Sequence, residues 1–291
     1  MVTEYSLETV YRELKNTLRK VSEAPDFEAK EMLRYLFAVT PADILLDRKL
    51  KLTDEEVSTL RRLTERRLQH EPLQYLVGSW EFFGREFFVG EGVLIPRPDT
   101  EVLAEQVLAF LKDKDHPRVL ELCGGSGCLA ATVALEHPGA EVISVEKSPE
   151  AFGYLKRNCD TLESGVKCIL GDALDPDTVE GDFDCILSNP PYLTARDMAE
   201  LEPEVRREPV MALYGEEDGL FFYRKLTALW TDRLREGGLL AYEIGMGQHD
   251  AVSEILRTNG LNNVCQTRDY SGIIRVLTGI RAPAHQTGTI D

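Results

Sequence analysis

Four consecutive residues, Asn189, Pro190, Pro191 and Tyr192, follow the apolar run DCILS at residues 184–188. Two successive prolines fix the backbone and remove two donors, so the Asn189 side chain and the Pro190 carbonyl are presented together as acceptors. An amide or aromatic amino nitrogen has a delocalised lone pair and attacks an electrophilic methyl group poorly in solution. Two fixed acceptors that take its two N–H groups can aim that lone pair, and Tyr192 offers a face for a planar group. The alternative is an Asn that caps a proline turn.

Three other loops bear on what would supply the methyl group. Residues 118–123 (RVLELC) run into Cys123-Gly124-Gly125-Ser126-Gly127 and then the helical CLAATVALE. Glycines let the backbone approach a ligand, and free amides at a helix start favour negative charge; plain turn chemistry would look the same. About 20 residues on, EVISVE ends in Glu146, an acid placed to accept from both hydroxyls of a ribose or, alternatively, one that precedes a helix at Ser148-Pro149. VKCIL ends in Gly171-Asp172-Ala173, a further acid beside the same pocket. These three loops describe a nucleoside site. With Asn189 to Tyr192 added, the cofactor expected is S-adenosyl-L-methionine, leaving as S-adenosyl-L-homocysteine, with no metal and no nucleophilic side chain required.

The elements that must hold these loops are strands 118–123, 141–146, 166–170, 184–189 and 239–244, then NVCQT and IIRVL, separated by helix-length stretches. This alternation predicts an α/β, Rossmann-like, seven-stranded and mostly parallel sheet, with ligands at the carboxyl ends of its strands. Before it, apolar residues at helical spacing (Leu7, Val10, Tyr11, Leu14 and Leu18; Leu33, Leu36 and Phe37; Val57, Leu60, Leu63 and Leu68) predict a small all-α bundle. Thr53 caps a helix that ends in Arg61, Arg62, Arg66 and Arg67, either a solvated face or a docking surface for an acidic partner. The aromatic segments WEFFGREFFVG around Gly84 fit a hairpin. The domains expected are a helical bundle at 1–78, a hairpin and linker at 79–98, a catalytic domain at 99–282 and a frayed tail at 283–291.

Of 291 residues, 50 are acidic and 33 basic, a formal charge of −17. Residues 1–86 hold 16 acids and 14 bases, so the imbalance lies in the 34 acids and 19 bases that follow. This weighs against a long phosphate-tracking surface. Six scattered cysteines without a Cys-x-x-Cys pair suggest reduced thiols rather than zinc or a disulfide framework. No apolar run approaches the ~18 residues of a membrane span, and a cytoplasmic protein is expected.

Taken with EPLQYLVG at 71–78, GVLIPRPDTE at 92–101, EPVMAL at 208–213, Asp218-Gly-Leu, Tyr223-Arg, LLAYEIG at 239–245 with Gln248, and DYSGIIRV at 269–276, the chain closely resembles the HemK/PrmC family of protein-(glutamine-N5) methyltransferases. The Asn-Pro-Pro-Tyr motif alone is shared with nucleic-acid methyltransferases; the PRPDTE segment and the amino-terminal bundle discriminate. The resemblance implies that the acceptor is the glutamine of the Gly-Gly-Gln loop of class-1 peptide-chain release factors, with no direct nucleic-acid substrate. It also implies that Glu121, Cys123, Gly124, Gly125, Ser126, Gly127, Glu146, Asp172, Ala173 and Asn189 hold the cofactor. Asn189, Pro190, Pro191 and Tyr192 would bind the glutamine, with Pro96, Arg97 and Thr100 walling the site and the bundle helping to recognise the partner. Arg97 could instead form an ion pair between the two domains, and Glu243 could face the site or be a structural acid.

The loop departs from the family's usual Asp-Leu-Gly-Thr-Gly-Ser-Gly. It has Glu121, Cys123 in place of a glycine, and Gly124 in place of Thr. Glu146 stands for the usual Asp and Ala173 for a position often aromatic. Two other functions compete: amino methylation of nucleic acid through the same turn, and a cofactor-binding accessory protein without turnover.

Overall fold

The computed structural model describes residues 2–283; the tail expected at 283–291 lies, from residue 284 on, outside them. The chain forms two compact units, Met1–Ser79 with Glu202–Arg207, and Trp80–Leu201 with Glu208–Asp291.

The first unit contains β1 (Val2–Ser6), α1 (Leu7–Leu18), α2 (Pro25–Phe37), α3 (Pro41–Leu45), β2 (Lys49–Thr53), α4 (Asp54–Leu68) and α5 (Leu73–Val77). Its core is Leu7, Leu14, Leu18, Met32, Leu33 and Leu63, the apolar stripes of three amphipathic helices. Thr53 closes a capping box on α4: its backbone N–H donates to Glu56 at 2.7 Å and its Oγ1 accepts from the Glu56 N–H at 3.2 Å. One addition breaks the all-helical expectation. β1 pairs antiparallel with β2, Tyr5 opposite Leu50, and the alternation in KLKLT is the period-2 signal of that strand. A second difference concerns the arginine cluster. Arg67 is buried, with Nε 2.8 Å from Glu28 and Nη1 2.8 Å from Glu204. It is a structural cation, part of neither a solvated face nor a docking surface.

The second unit opens at Trp80, within the hairpin of β3 (Ser79–Phe82) and β4 (Arg85–Phe88), turned at Phe83 and Gly84, both at positive φ as a two-residue hairpin loop demands. Then come α6 (Pro98–Leu111), β5 (Arg118–Leu122), α7 (Cys128–Glu136), β6 (Glu141–Glu146), α8 (Pro149–Thr161), β7 (Lys167–Leu170), β8 (Phe183–Ser188), α9 (Ala195–Ala199), α10 (Val210–Leu213), α11 (Phe221–Trp230), β9 (Leu234–Glu243), α12 (His249–Thr258), β10 (Leu261–Arg268) and β11 (Ile274–Arg281).

The sheet runs β10-β11-β9-β8-β5-β6-β7. It is parallel from β9 to β7, and β11 is antiparallel to both β9 and β10. Strand side chains alternate between two cores. Val119, Cys185, Leu187 and Ala241 pack with α6 and α7, while Leu120, Ile186, Leu240 and Tyr242 pack with Trp230 of α11 and Leu256 of α12. Helices on both faces make the strands of this sheet near-continuously apolar. The six cysteines carry no disulfide, and among the described residues no helix is long and apolar enough to cross a membrane.

Candidate active site

β5 and β8 are parallel neighbours with Leu122 opposite Ser188, and the Ser188 hydroxyl donates to the Leu122 carbonyl at 2.6 Å. β5 lies between β6 and β8, where the strand order reverses. The glycine loop after β5 and the Asn-Pro-Pro-Tyr turn after β8 therefore leave the sheet side by side, in the crevice where open α/β sheets bind ligands.

The glycine loop is tied down by backbone bonds from Gly124 to Val145 O (2.9 Å) and from Gly127 to Gly124 O (2.8 Å). Glu146 accepts the Gly125 N–H at 2.8 Å and the Ser148 N–H at 2.7 Å, so it joins this loop to the start of α8. Each carboxylate oxygen keeps a second acceptor position for a ligand. Gly127, at φ 80°, opens α7; a Cβ there would lie 2.6 Å from Leu155 Cδ1.

The departures in this loop have a joint physical reading. Cys123 sits at φ 62°, the left-handed region where a glycine is free of strain and a cysteine costs about 1–2 kcal/mol. Burial pushes its thiol up to about 12. At Gly124 a Cβ would lie 2.2 Å from Ser144 Oγ and 3.2 Å from Glu121 Oε2. The longer acid at 121, which accepts from the Ser144 hydroxyl, thus requires the small residue at 124. Burial pushes the Glu121 carboxyl up to about 8.

After β7, Gly171 N–H donates to Glu146 O at 2.9 Å. Burial works to raise the Asp172 carboxyl, but Lys147 at 2.7 Å and the Leu174 N–H at 2.9 Å outweigh it and hold it below the ordinary range. The Ala173 carbonyl accepts from Trp230 Nε1 at 2.8 Å, which fixes this loop to α11.

In the turn after β8, Pro190 and Pro191 are buried and Asn189 and Tyr192 are half-buried. Asn189 Nδ2 donates to Thr100 Oγ1 at 3.4 Å. Thr100 donates to Glu243 Oε2 at 2.5 Å, and the Tyr192 hydroxyl donates to Glu243 Oε1 at 3.3 Å. Gln248 Nε2 donates to the Tyr192 carbonyl at 3.0 Å while its Oε1 accepts the Gly245 N–H at 2.9 Å. Burial first, then the charge of Glu243, pushes the Tyr192 phenol well up.

These loops surround a cavity of about 450 Å³, within the size range of small-molecule sites. Residues 9–78 match the PrmC N-terminal domain family and residues 99–204 the methyltransferase small domain family. A release factor glutamine methyltransferase of Thermodesulfovibrio yellowstonii is 38% identical over 255 residues, covering 86% of this chain and 90% of its own. Another, of Neisseria gonorrhoeae, is 39% identical over 260 residues, 89% of this chain and 94% of its own. The chain belongs to the release factor glutamine methyltransferase family. Among solved structures, a methyltransferase from Pyrococcus furiosus, 22% identical, covers 69% of this chain and 91% of its own with a TM-score of 0.51, which is a likeness of fold.

In this methyltransferase the cavity wall includes Cys123, Gly125, Glu146, Asp172 and Ala173, together with Asn189 and Pro191. Among the other residues named from the sequence, Glu121, Gly124, Ser126, Gly127, Pro190, Tyr192, Pro96, Arg97 and Thr100 are not part of that wall. Two of them support the wall: Glu121, at the end of β5, lies against Gly124 of the glycine loop, and Thr100 accepts from Asn189. Arg97 pairs with Glu208, which also accepts the Ile95 N–H at 3.0 Å. Both partners belong to the second unit, so this ion pair fastens the linker to the chain before α10 and does not join two domains. Glu243 is buried and faces Thr100 and Tyr192.

Sequence reasoning missed Leu94, Val210, Met211 and Phe222, all on the wall. Val210 and Met211 are 61% and 56% exposed. Two large apolar residues directly after Pro209, with no strand or long helix to bury them, were the available signal.

Proposed function

We propose that this chain transfers the methyl group of S-adenosyl-L-methionine to the side-chain amide nitrogen of the glutamine in the Gly-Gly-Gln motif of class-1 peptide-chain release factors, in the cytoplasm. The observation that carries the reading is the parallel pairing of β5 with β8, which sets Asn189 on the same cavity wall as Gly125 and Glu146.

The residues of the cavity fit the cofactor. Ala173, Leu174 and Phe222 provide an apolar surface for a purine, and the Glu146 and Asp172 carboxylates, both on the wall, provide acceptors for ribose hydroxyls and an amino group. When bound, S-adenosyl-L-methionine supplies an electrophilic methyl on a sulfonium, a leaving group that needs no further activation. The protein's part is orientation. The Asn189 Oδ1 and the Pro190 carbonyl accept the two N–H groups of the glutamine amide and turn its lone pair toward the methyl, and Tyr192 stacks on the amide plane. The nitrogen loses its surplus proton to solvent after the C–N bond forms. The remaining loop residues, Glu121, Cys123, Gly124, Ser126 and Gly127, hold the cofactor loop, and Pro96, Arg97 and Thr100 fix the linker beside the acceptor site. The unit built on residues 1–79 contributes recognition of the release factor.

Labelled S-adenosyl-L-methionine, offered with an intact release factor, with one whose Gly-Gly-Gln glutamine is replaced, and with DNA and RNA, tests this. Label is expected on the intact factor alone, and Asn189→Ala should lower transfer on the order of 100-fold. Label on nucleic acid, or label that survives loss of the glutamine, overturns it.

A further inference from the structure

From Asn189, on the cavity wall, hydrogen bonds run to Thr100 and from Thr100 to Glu243, which also accepts from Tyr192, at 3.4, 2.5 and 3.3 Å. Thr100 is 3% and Glu243 2% exposed, so neither touches a substrate. Their arrangement sets a direction. An ionised carboxylate only accepts, so both hydroxyls must point their protons at Glu243. The Thr100 oxygen is then left with lone pairs alone toward Asn189, and the Asn189 group that meets it has to be the NH2. The carboxamide is thereby locked with Oδ1 turned away from Thr100.

We propose that Thr100 and Glu243 are positioning residues that fix the orientation of the Asn189 carboxamide and of the Tyr192 ring, so that the turn presents an acceptor, and never a donor, to the nitrogen being methylated. This rests on the function proposed above. A reversed Asn189 would face the acceptor's N–H groups with its own NH2, two donors opposed, and the lone pair would not be aimed. Burial pushes Glu243 up to about 7, with Arg275 working to lower it and Asp99 to raise it. At pH 8 the carboxylate is ionised and the direction of the relay is set.

The test is turnover at pH 8 on an intact release factor. Thr100→Val keeps the shape and removes the oxygen that receives the Asn189 NH2. Glu243→Gln keeps the volume and turns one of the two acceptors into a donor. Each should lower kcat about tenfold or more while the KM for S-adenosyl-L-methionine stays at the wild-type value, and Thr100→Ser should recover what Thr100→Val loses. Wild-type kcat in both Thr100→Val and Glu243→Gln overturns the relay, as does a loss confined to cofactor KM or a Thr100→Ser variant no better than Thr100→Val. Wild-type protein that leaves the glutamine unmethylated overturns the functional reading itself, and the relay with it.

Discussion

The residue with the clearest conflict between its type and its place is Cys123. Its φ of 62° belongs to glycine; the residue lines the cavity while its side chain packs against the core, and burial pushes the thiol pKa up to about 12. Two substitutions separate backbone strain from packing. Cys123→Gly removes the strain and should leave the urea unfolding midpoint undiminished. Cys123→Val places a β-branched side chain in the same conformation and should destabilise the fold by about 2 kcal/mol or more. A Cys123→Gly variant less stable than Cys123→Val would mean that contacts of the thiol, and not the dihedral, govern this position. Glu121 and Gly124 make the complementary case: one is long and the other has no Cβ because Ser144 stands between them.

At the scale of elements, the start of α7 and the side of α8 meet at one glycine. Gly127 at φ 80° leaves Leu155 room that any Cβ would fill at 2.6 Å. Gly153, exposed in the middle of α8 with nothing within 4 Å of its missing Cβ, is the opposite. Gly127→Ala should therefore cost about 2 kcal/mol or more, whereas Gly153→Ala should stabilise by about 0.5–1 kcal/mol, the gain of a helix interior that exchanges glycine for alanine. Chemical denaturation of the two variants beside the wild type measures both signs. Equal effects would show that the loop before α7 adapts more readily than its packing implies. The same short-range logic holds the turn after β8, where Gln248 fastens the Tyr192 carbonyl to Gly245 and α12.

At the scale of the whole molecule, two buried acids shape the dependence of stability on pH. Burial pushes Glu121 up to about 8 and Glu243 up to about 7, against an ordinary 4.5. Both groups therefore hold protons in the folded chain that they release on unfolding. Their contribution to stability is complete below about pH 4.5 and is lost as pH rises through 7 and 8. The thermal midpoint should fall between pH 5 and pH 8.5, and Glu121→Gln should flatten that fall. A wild-type midpoint that climbs across this range would show that other titrations outweigh these two. The ionised Glu243 that weakens the fold is also the acceptor-only carboxylate on which the Asn189 relay depends, so stability and orientation draw on this acid in opposite directions.

Much of this protein is local and is therefore legible in its sequence. Strand runs, helix stripes, the Thr53 cap and the hairpin at Gly84 follow from residue type and spacing, because periodicity and turn chemistry act over a few residues. The loops at Cys123, Glu146, Asp172 and Asn189 could be assigned to one pocket because a parallel sheet gathers the carboxyl ends of its strands. What the tertiary structure alone decided is which distant residues meet. Arg67 with Glu204, Arg97 with Glu208, and Thr100 with Glu243 are separated in the chain by 137, 111 and 143 residues. The approach of Met211 and Phe222 to the cavity is of the same kind. No spacing rule encodes such contacts, since a side chain's partner across a core depends on how whole elements pack and not on its neighbours in sequence.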